Sequence, residues 1–106
     1  GPPRIIHWLQ MTGSGRVTVK GTIHKRRRIV IDIDHPERLK RLDIHLNRKI
    51  FDVNRRAVDV ILNGRPMRFR VRETTGAVLD SYEITRDLRR VFTARITLKK
   101  KHLRRR

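Results

Sequence analysis

The chain has 106 residues, among them 28 Lys or Arg against 10 Asp or Glu, and its formal net charge is +18. This length fits one domain with a single core. The absence of Cys excludes disulfides, thiolate zinc sites and Cys nucleophiles, and no apolar run approaches the roughly 18 residues of a membrane span.

Period-2 alternation of apolar and polar residues runs through the first part of the chain and predicts strands. Residues 11–15 end in Gly-Ser-Gly and predict a flexible turn between the first two strands. The apolar faces of the predicted strands are Ile6 with Trp8, then Val17 to Ile23, Ile29 to Ile33, Leu42 to Leu46, and Val58 to Leu62.

The pair Asn63-Gly64 is the strongest turn signal, because a two-residue type I′ hairpin needs positive φ at both positions. The returning strand is predicted to direct Met67, Phe69 and Val71 inward and Arg68, Arg70 and Arg72 outward. Residues 77–90 allow either a short helix or a loop crossing. The last strand alternates apolar residues from Phe92 to Leu98 with polar ones.

Six or seven short strands predict an all-β fold, an immunoglobulin-like antiparallel β-sandwich, with a small oligonucleotide-binding-type barrel as the alternative. Gly1 and Pro2 are typical of the remnant left by a tag protease, so we expect the domain to span residues 3–98. Residues 99–106 hold six Lys or Arg and no acid, and we expect them to form a disordered basic tail.

Several segments of this pattern also occur in a known type of module. They are Ile6 to Trp8, Ile29 to Ile33, Arg41 to Asn47, Ile50 to Asp52, Val58 to Gly64 and Val91 to Ile96. Between Pro3 and Lys99 the chain resembles the small β-sandwich that follows the catalytic domain in some bacterial esterase-like α/β-hydrolases. The resemblance implies a noncatalytic module attached to an enzyme.

Catalytic and metal-binding patterns are not visible in the sequence. Ser14 and Ser81 lie in no Gly-x-Ser-x-Gly elbow, so we expect no enzyme activity and no cofactor. Asp32, Asp34, Asp52 and Asp59 would allow acid–base chemistry only if the fold brought two of them together, and we expect them to be surface counter-charges for the arginines. The histidines, which are His7, His24, His35, His45 and His102, lack zinc-site spacing, and His45 is expected to face solvent beside Asp43.

Three groups of cations are the candidate binding residues. Alternate side chains of one predicted strand lie about 6.8 Å apart on one face, a spacing that suits the phosphates of an extended nucleic-acid strand. Residues of the second or the final strand would extend that face if either strand is its neighbour. The groups are Arg68, Arg70 and Arg72 with Arg95; the predicted hairpin tip Lys25, Arg26, Arg27 and Arg28; and the tail cations Lys99, Lys100, Lys101, Arg104, Arg105 and Arg106.

A noncatalytic polyanion-binding module is the function that this charge predicts. DNA or RNA is the favoured partner, bound through phosphates, because few aromatic side chains, with Phe51 and Tyr82 the candidates, are left for base stacking. Acidic glycan and anionic lipid are the other candidate polyanions.

The alternative function is that of an accessory domain of a secreted or envelope hydrolase. A protein that RNA holds in a larger assembly would fit the same charge. The compartment stays open between cytoplasm and envelope.

Overall fold

The computed structural model describes residues 8–53, 57–78 and 92–104 and contains two β-sheets. Short helical segments occur at Pro36–Arg38, at residues 75–78 and at Lys100–Leu103, the last of which we name α1. The strands are β1 (Leu9–Gly13), β2 (Val19–His24), β3 (Arg28–Ile33), β4 (Leu39–Leu46), β5 (Val58–Leu62), β6 (Arg65–Phe69) and β7 (Ala94–Lys99).

One sheet has the strand order β1-β4-β7 and the other has the order β2-β3-β5-β6. The prediction of an all-β, sandwich-like fold is confirmed. The strand order differs from that of an immunoglobulin domain, and β3 pairs with β5 in parallel, whereas the other pairs are antiparallel. Between β3 and β5 the chain crosses to the other sheet, forms β4 and crosses back, so β5 runs beside β3 in the same direction.

The apolar phase of each strand faces a single core that contains residues from both sheets. The predicted inward faces of β3, β4, β5 and β7 are confirmed by their burial, and the inward residues of β2 and β6 pack half-buried around that core. Apolar burial of this kind is the main favourable contribution to folding and has to overcome the repulsion among the cations. The side chains below 1% exposure are Ile29, Ile31, Leu42, Ile44, Leu46, Phe51, Val60, Leu62, Ala94 and Leu98.

The first strand extends into the segment that was predicted to be a turn. Met11 and Thr12 pair with Leu42 and with a neighbouring residue of β4, and the register shifts between Thr12 and Gly13. A Cβ on Gly13 would lie 2.4 Å from the backbone oxygen of Arg38. Gly13 is therefore the last residue of β1 and also allows two backbone segments to approach closely, because it has no Cβ.

The prediction of a disordered tail is wrong for residues 99–104. Lys99 is the last residue of β7, and Leu103 in α1 belongs to the core with 2% of its surface exposed. Leu103, an apolar residue among cations, therefore anchors the C-terminal segment to the core. Arg105 and Arg106 lie outside the described residues, as do residues 79–90 of the predicted helix or crossing, whose preceding residues 75–78 are helical.

The Asn63-Gly64 hairpin is confirmed. Both residues have left-handed backbone conformations, with φ of 49° and 82°, as the type I′ signal requires. The Asn63 side chain also accepts a hydrogen bond from the Ile33 amide at 2.7 Å. This contact ties the β5–β6 turn to the end of β3.

Candidate functional site

The loop between β2 and β3 carries the predicted cationic hairpin tip. Lys25 and Arg26 both have left-handed backbone conformations, with φ of 50° and 57°, and the Arg27 amide donates to the His24 carbonyl at 2.9 Å. Such conformations are uncommon for residues other than Gly, Asn and Asp. Asn-Gly is the pair that best suits these backbone conformations. This turn has exposed cations at the same positions instead.

Arg26 fixes this loop to the connection between β4 and β5. Its carbonyl accepts a hydrogen bond from the Asp52 amide at 2.8 Å, and its guanidinium donates to the Arg48 carbonyl. Two further exposed cations, Arg48 and Lys49, are thereby placed beside the loop. These two residues were not among the predicted binding residues, although they form an adjacent basic pair directly after β4 in the sequence.

A cross-strand row connects the loop to β6. Arg28 pairs in register with Asp59, and Asp59 with Arg68, on the outer face of the sheet. Neighbouring strands lie about 4.8 Å apart, so the backbones of the two arginines are about 10 Å apart. The Arg68 Nε lies 3.4 Å from the Asp59 carboxylate, and the Arg68 side chain is 74% exposed. One carboxylate thus lies between two exposed guanidinium groups.

The segment after the row forms a groove. Residues 68–72 and Ala57 line an open cavity of about 670 Å³, which we name the β6 groove. Arg70 and Arg72 are exposed, and among the described residues neither side chain has an ion-pair partner. The predicted strand was too long: β6 ends at Phe69, so Arg68 lies in the strand and Arg70 and Arg72 follow it. Loop 25–28 and Arg68, distant in sequence, lie at the same end of one sheet, and Arg70 and Arg72 continue from there.

The C-terminal helix α1 packs against β4 and β7, and its residue His102 also contacts β6. The Arg65 guanidinium donates to the His102 carbonyl at 3.3 Å, and the rings of Phe69 and His102 meet edge to face at 5.2 Å. The His102 Nδ1 in turn accepts the Lys99 amide at 2.9 Å. The helix also carries the exposed cations Lys100 and Lys101, and exposed Arg104 follows it.

The predicted extension of the arginine face by the last strand is wrong. Arg95 and Lys99 lie on β7, in the other sheet, where they pair in register with His45 and Arg41. The neighbour of β6 is β5, because the hairpin at Asn63-Gly64 joins them. Arg95 is half-buried and does not join the surface of the loop and β6.

Asp43 and His45 form a buried polar group on β4 instead of facing solvent as predicted. They are 4% and 2% exposed. Asp43 accepts hydrogen bonds from Arg41 at 3.0 Å and from Thr97 at 2.7 Å, and the His45 Nε2 lies 3.1 Å from the Gln10 amide oxygen. These contacts offset the loss of water on burial.

Other acids serve as acceptors in turns and crossings. The Thr18 amide donates to Asp34 at 2.8 Å and holds the pKa of that carboxyl below its usual value. Arg48 donates twice to Glu73, at 2.7 and 3.0 Å, and lowers the pKa of Glu73.

No described part of the chain shows a cluster of three His, Asp or Glu that could hold a metal ion. The amide of Ser14 donates to the Arg38 carbonyl in a turn, whereas Ser81 lies outside the described residues. Within the described ranges, no helix is long and apolar enough to cross a membrane.

Neither a protein-family model, nor a curated protein, nor a solved structure matches this chain. The resemblance to a hydrolase-associated module therefore stays a prediction, and so does the accessory role that it implies. The charges of this chain and their placement in the fold are the features that bear on its function.

Proposed function

We propose that the chain binds polyanions, and nucleic acid in particular, through phosphate contacts made by the basic surface of loop 25–28 and β6. This surface has seven cations and, within the described residues, the carboxylate of Asp59 between them. Its members are Lys25, Arg26, Arg27, Arg28, Arg68, Arg70 and Arg72. The observation that carries the proposal is their convergence from two distant segments at one end of a sheet.

The charge balance supports an anionic partner. Like charges in close array repel one another, and a loop with two left-handed cationic residues adds strain to this cost. A phosphate backbone relieves the repulsion and releases its own counterions on binding. Arginine suits this role, because its planar guanidinium can donate two hydrogen bonds to one phosphate.

The aromatic residues support phosphate contact over base recognition. Phe51, which was predicted to be available for stacking, is fully buried, and Trp8 and Phe92 are 8% and 6% exposed. Phe69 in the β6 groove is half-buried, and its ring packs against that of His102. Tyr82 lies outside the described residues. Phosphate contacts hold a nucleic acid without reading its bases, so we expect affinities that differ little among unrelated sequences.

The test is a fluorescence-anisotropy titration with single- and double-stranded DNA and RNA of unrelated sequences, and with heparin and anionic vesicles in parallel. We expect the triple variant R68Q/R70Q/R72Q to bind all nucleic acids more weakly by a similar factor. The matched control is R16Q/K20Q/K40Q, which removes the same charge from exposed positions elsewhere in the fold.

Two results would overturn the proposal. One is absence of nucleic-acid binding at low salt while the protein is folded. The other is an equal loss of affinity in both triple variants, because net charge alone would then account for the binding. Binding to vesicles or heparin without binding to nucleic acid would instead assign the surface to another polyanion.

A further inference from the structure

Strand β6 is the last strand of its sheet in the order β2-β3-β5-β6. Within residues 8–53, 57–78 and 92–104, its one strand partner is β5, and its other edge is open. Five consecutive residues, 68–72, line the β6 groove. Successive side chains of an extended chain point to opposite sides, so a cavity that contacts all five runs along the backbone of this segment.

The hairpin register determines which backbone groups face that groove. A two-residue turn closes on a hydrogen-bonded pair, here Leu62 with Arg65, and such pairs then alternate along the ladder. Met67 and Phe69 therefore bond to β5, whereas the amide and carbonyl of Arg68 point away from it. Among the described residues, no backbone hydrogen bond from Arg68 or Arg70 to another segment is present.

We propose that the β6 edge binds an extended acidic peptide by strand addition. A peptide strand offers donors and acceptors in alternation and so can pair with both groups of Arg68. A phosphate backbone offers acceptors alone and would leave the carbonyls without partners. The backbone groups of this edge therefore favour a polypeptide over a nucleic-acid strand, although either ligand would contact the same cations.

The side chains specify the composition of that peptide. Arg68 lies on the outer face of the sheet, and Arg70 follows it with the same two-residue spacing, so acids at every second peptide position would meet guanidinium groups. The intervening positions would face Phe69, which is half-buried, and Val71, which is buried. The matching pattern is acidic-apolar-acidic-apolar.

A second copy of the chain is a poor occupant of this edge. Pairing of two β6 edges would bring arginines of the copies together between two molecules of formal charge +18. Charged side chains on the edge also act against such self-pairing. Pro66 offers no backbone donor, so any added strand has to pair with the residues after it. An acidic strand removes this repulsion.

The test uses a labelled eight-residue peptide that alternates Glu and Val. We expect it to bind the intact chain, to slow hydrogen exchange of the Arg68 and Arg70 amides, and to leave the amides of Met67 and Phe69 unchanged because these already bond to β5. The control peptide has the same sequence with alternate amides N-methylated on the pairing edge. We expect its affinity to be lower by about tenfold.

Equal binding of the two peptides would overturn strand addition, since charge alone would explain it. Exchange protection outside residues 68–72 would do the same. A chain that binds nucleic acid but not the peptide retains the proposed function and loses this one. The variant R68Q/R70Q should weaken peptide binding more than K20Q/K40Q, which carries the same charge change.

Discussion

Truncation of Leu103 should destabilise the whole domain, although this residue sits in a run of cations near the C-terminus. Its side chain is 2% exposed and belongs to the core. Leu→Ala at such a position costs about 2 to 5 kcal/mol, from lost burial and the cavity left behind. With about 4 to 8 °C of Tm per kcal/mol for a domain near this size, a middle value of about 3 kcal/mol lowers Tm by about 12 to 24 °C.

Thermal unfolding followed by circular dichroism measures this effect. The matched control is Lys101→Ala in the same helix, whose side chain is exposed and whose loss should change stability by no more than about 0.5 kcal/mol. A Leu103→Ala variant as stable as the control would refute the reasoning. The C-terminal residues would then be a dispensable basic tail, as the sequence alone predicted.

Three other predictions concern packing, pH and the hairpin. Gly21→Ala should destabilise the domain by about 1 to 3 kcal/mol, because a Cβ there would lie 2.8 Å from Trp8 ring carbons. Gly76→Ala, which has open space around it, should be neutral or stabilising. A Gly76→Ala variant less stable in urea unfolding than Gly21→Ala would contradict this packing. Because the Arg48 guanidinium holds the folded-state pKa of Glu73 below its usual value, this ion pair stabilises the fold above the unfolded-state pKa. Its contribution is lost as pH falls through the folded-state pKa. Glu73→Gln should therefore flatten that part of a Tm-against-pH curve, and an unchanged curve would count against the ion pair. Asn63→Ala should cost about 1 to 3 kcal/mol by leaving the β3 amide unpaired, and Asn63→Asp, which keeps the acceptor, should retain most of the stability in the same unfolding assay.

Local patterns predicted the strands and the hairpin well, for physical reasons. One face of each sheet is buried, so alternation in β3, β5 and β7 reports directly on the core, and Asn63-Gly64 has the backbone conformations that its turn needs. Single residues whose role is set by tertiary contacts were missed. Leu103 lacks any periodic neighbours, and Gly13 fits a strand only because the backbone near Arg38 approaches it.

The candidate surface was predicted in its parts but not in its assembly. The sequence shows the basic run 25–28 and the alternating arginines Arg68, Arg70 and Arg72. Their proximity, however, depends on the parallel pairing of β3 with β5. That pairing joins segments separated by the whole of β4, and no local signal encodes it. The same nonlocal order placed Arg95 on the opposite sheet, where the sequence pattern had suggested a continuation of one face.

The salt dependence of duplex DNA binding tests most directly whether this surface contacts phosphates. Each phosphate contact contributes about 0.9 to the slope of log K against log salt. If Arg68, Arg70 and Arg72 each contact one phosphate, R68Q/R70Q/R72Q should have a slope shallower than the wild type by about 2 to 3, whereas R16Q/K20Q/K40Q should keep the wild-type slope. Equal slopes in the wild type and R68Q/R70Q/R72Q would contradict the account.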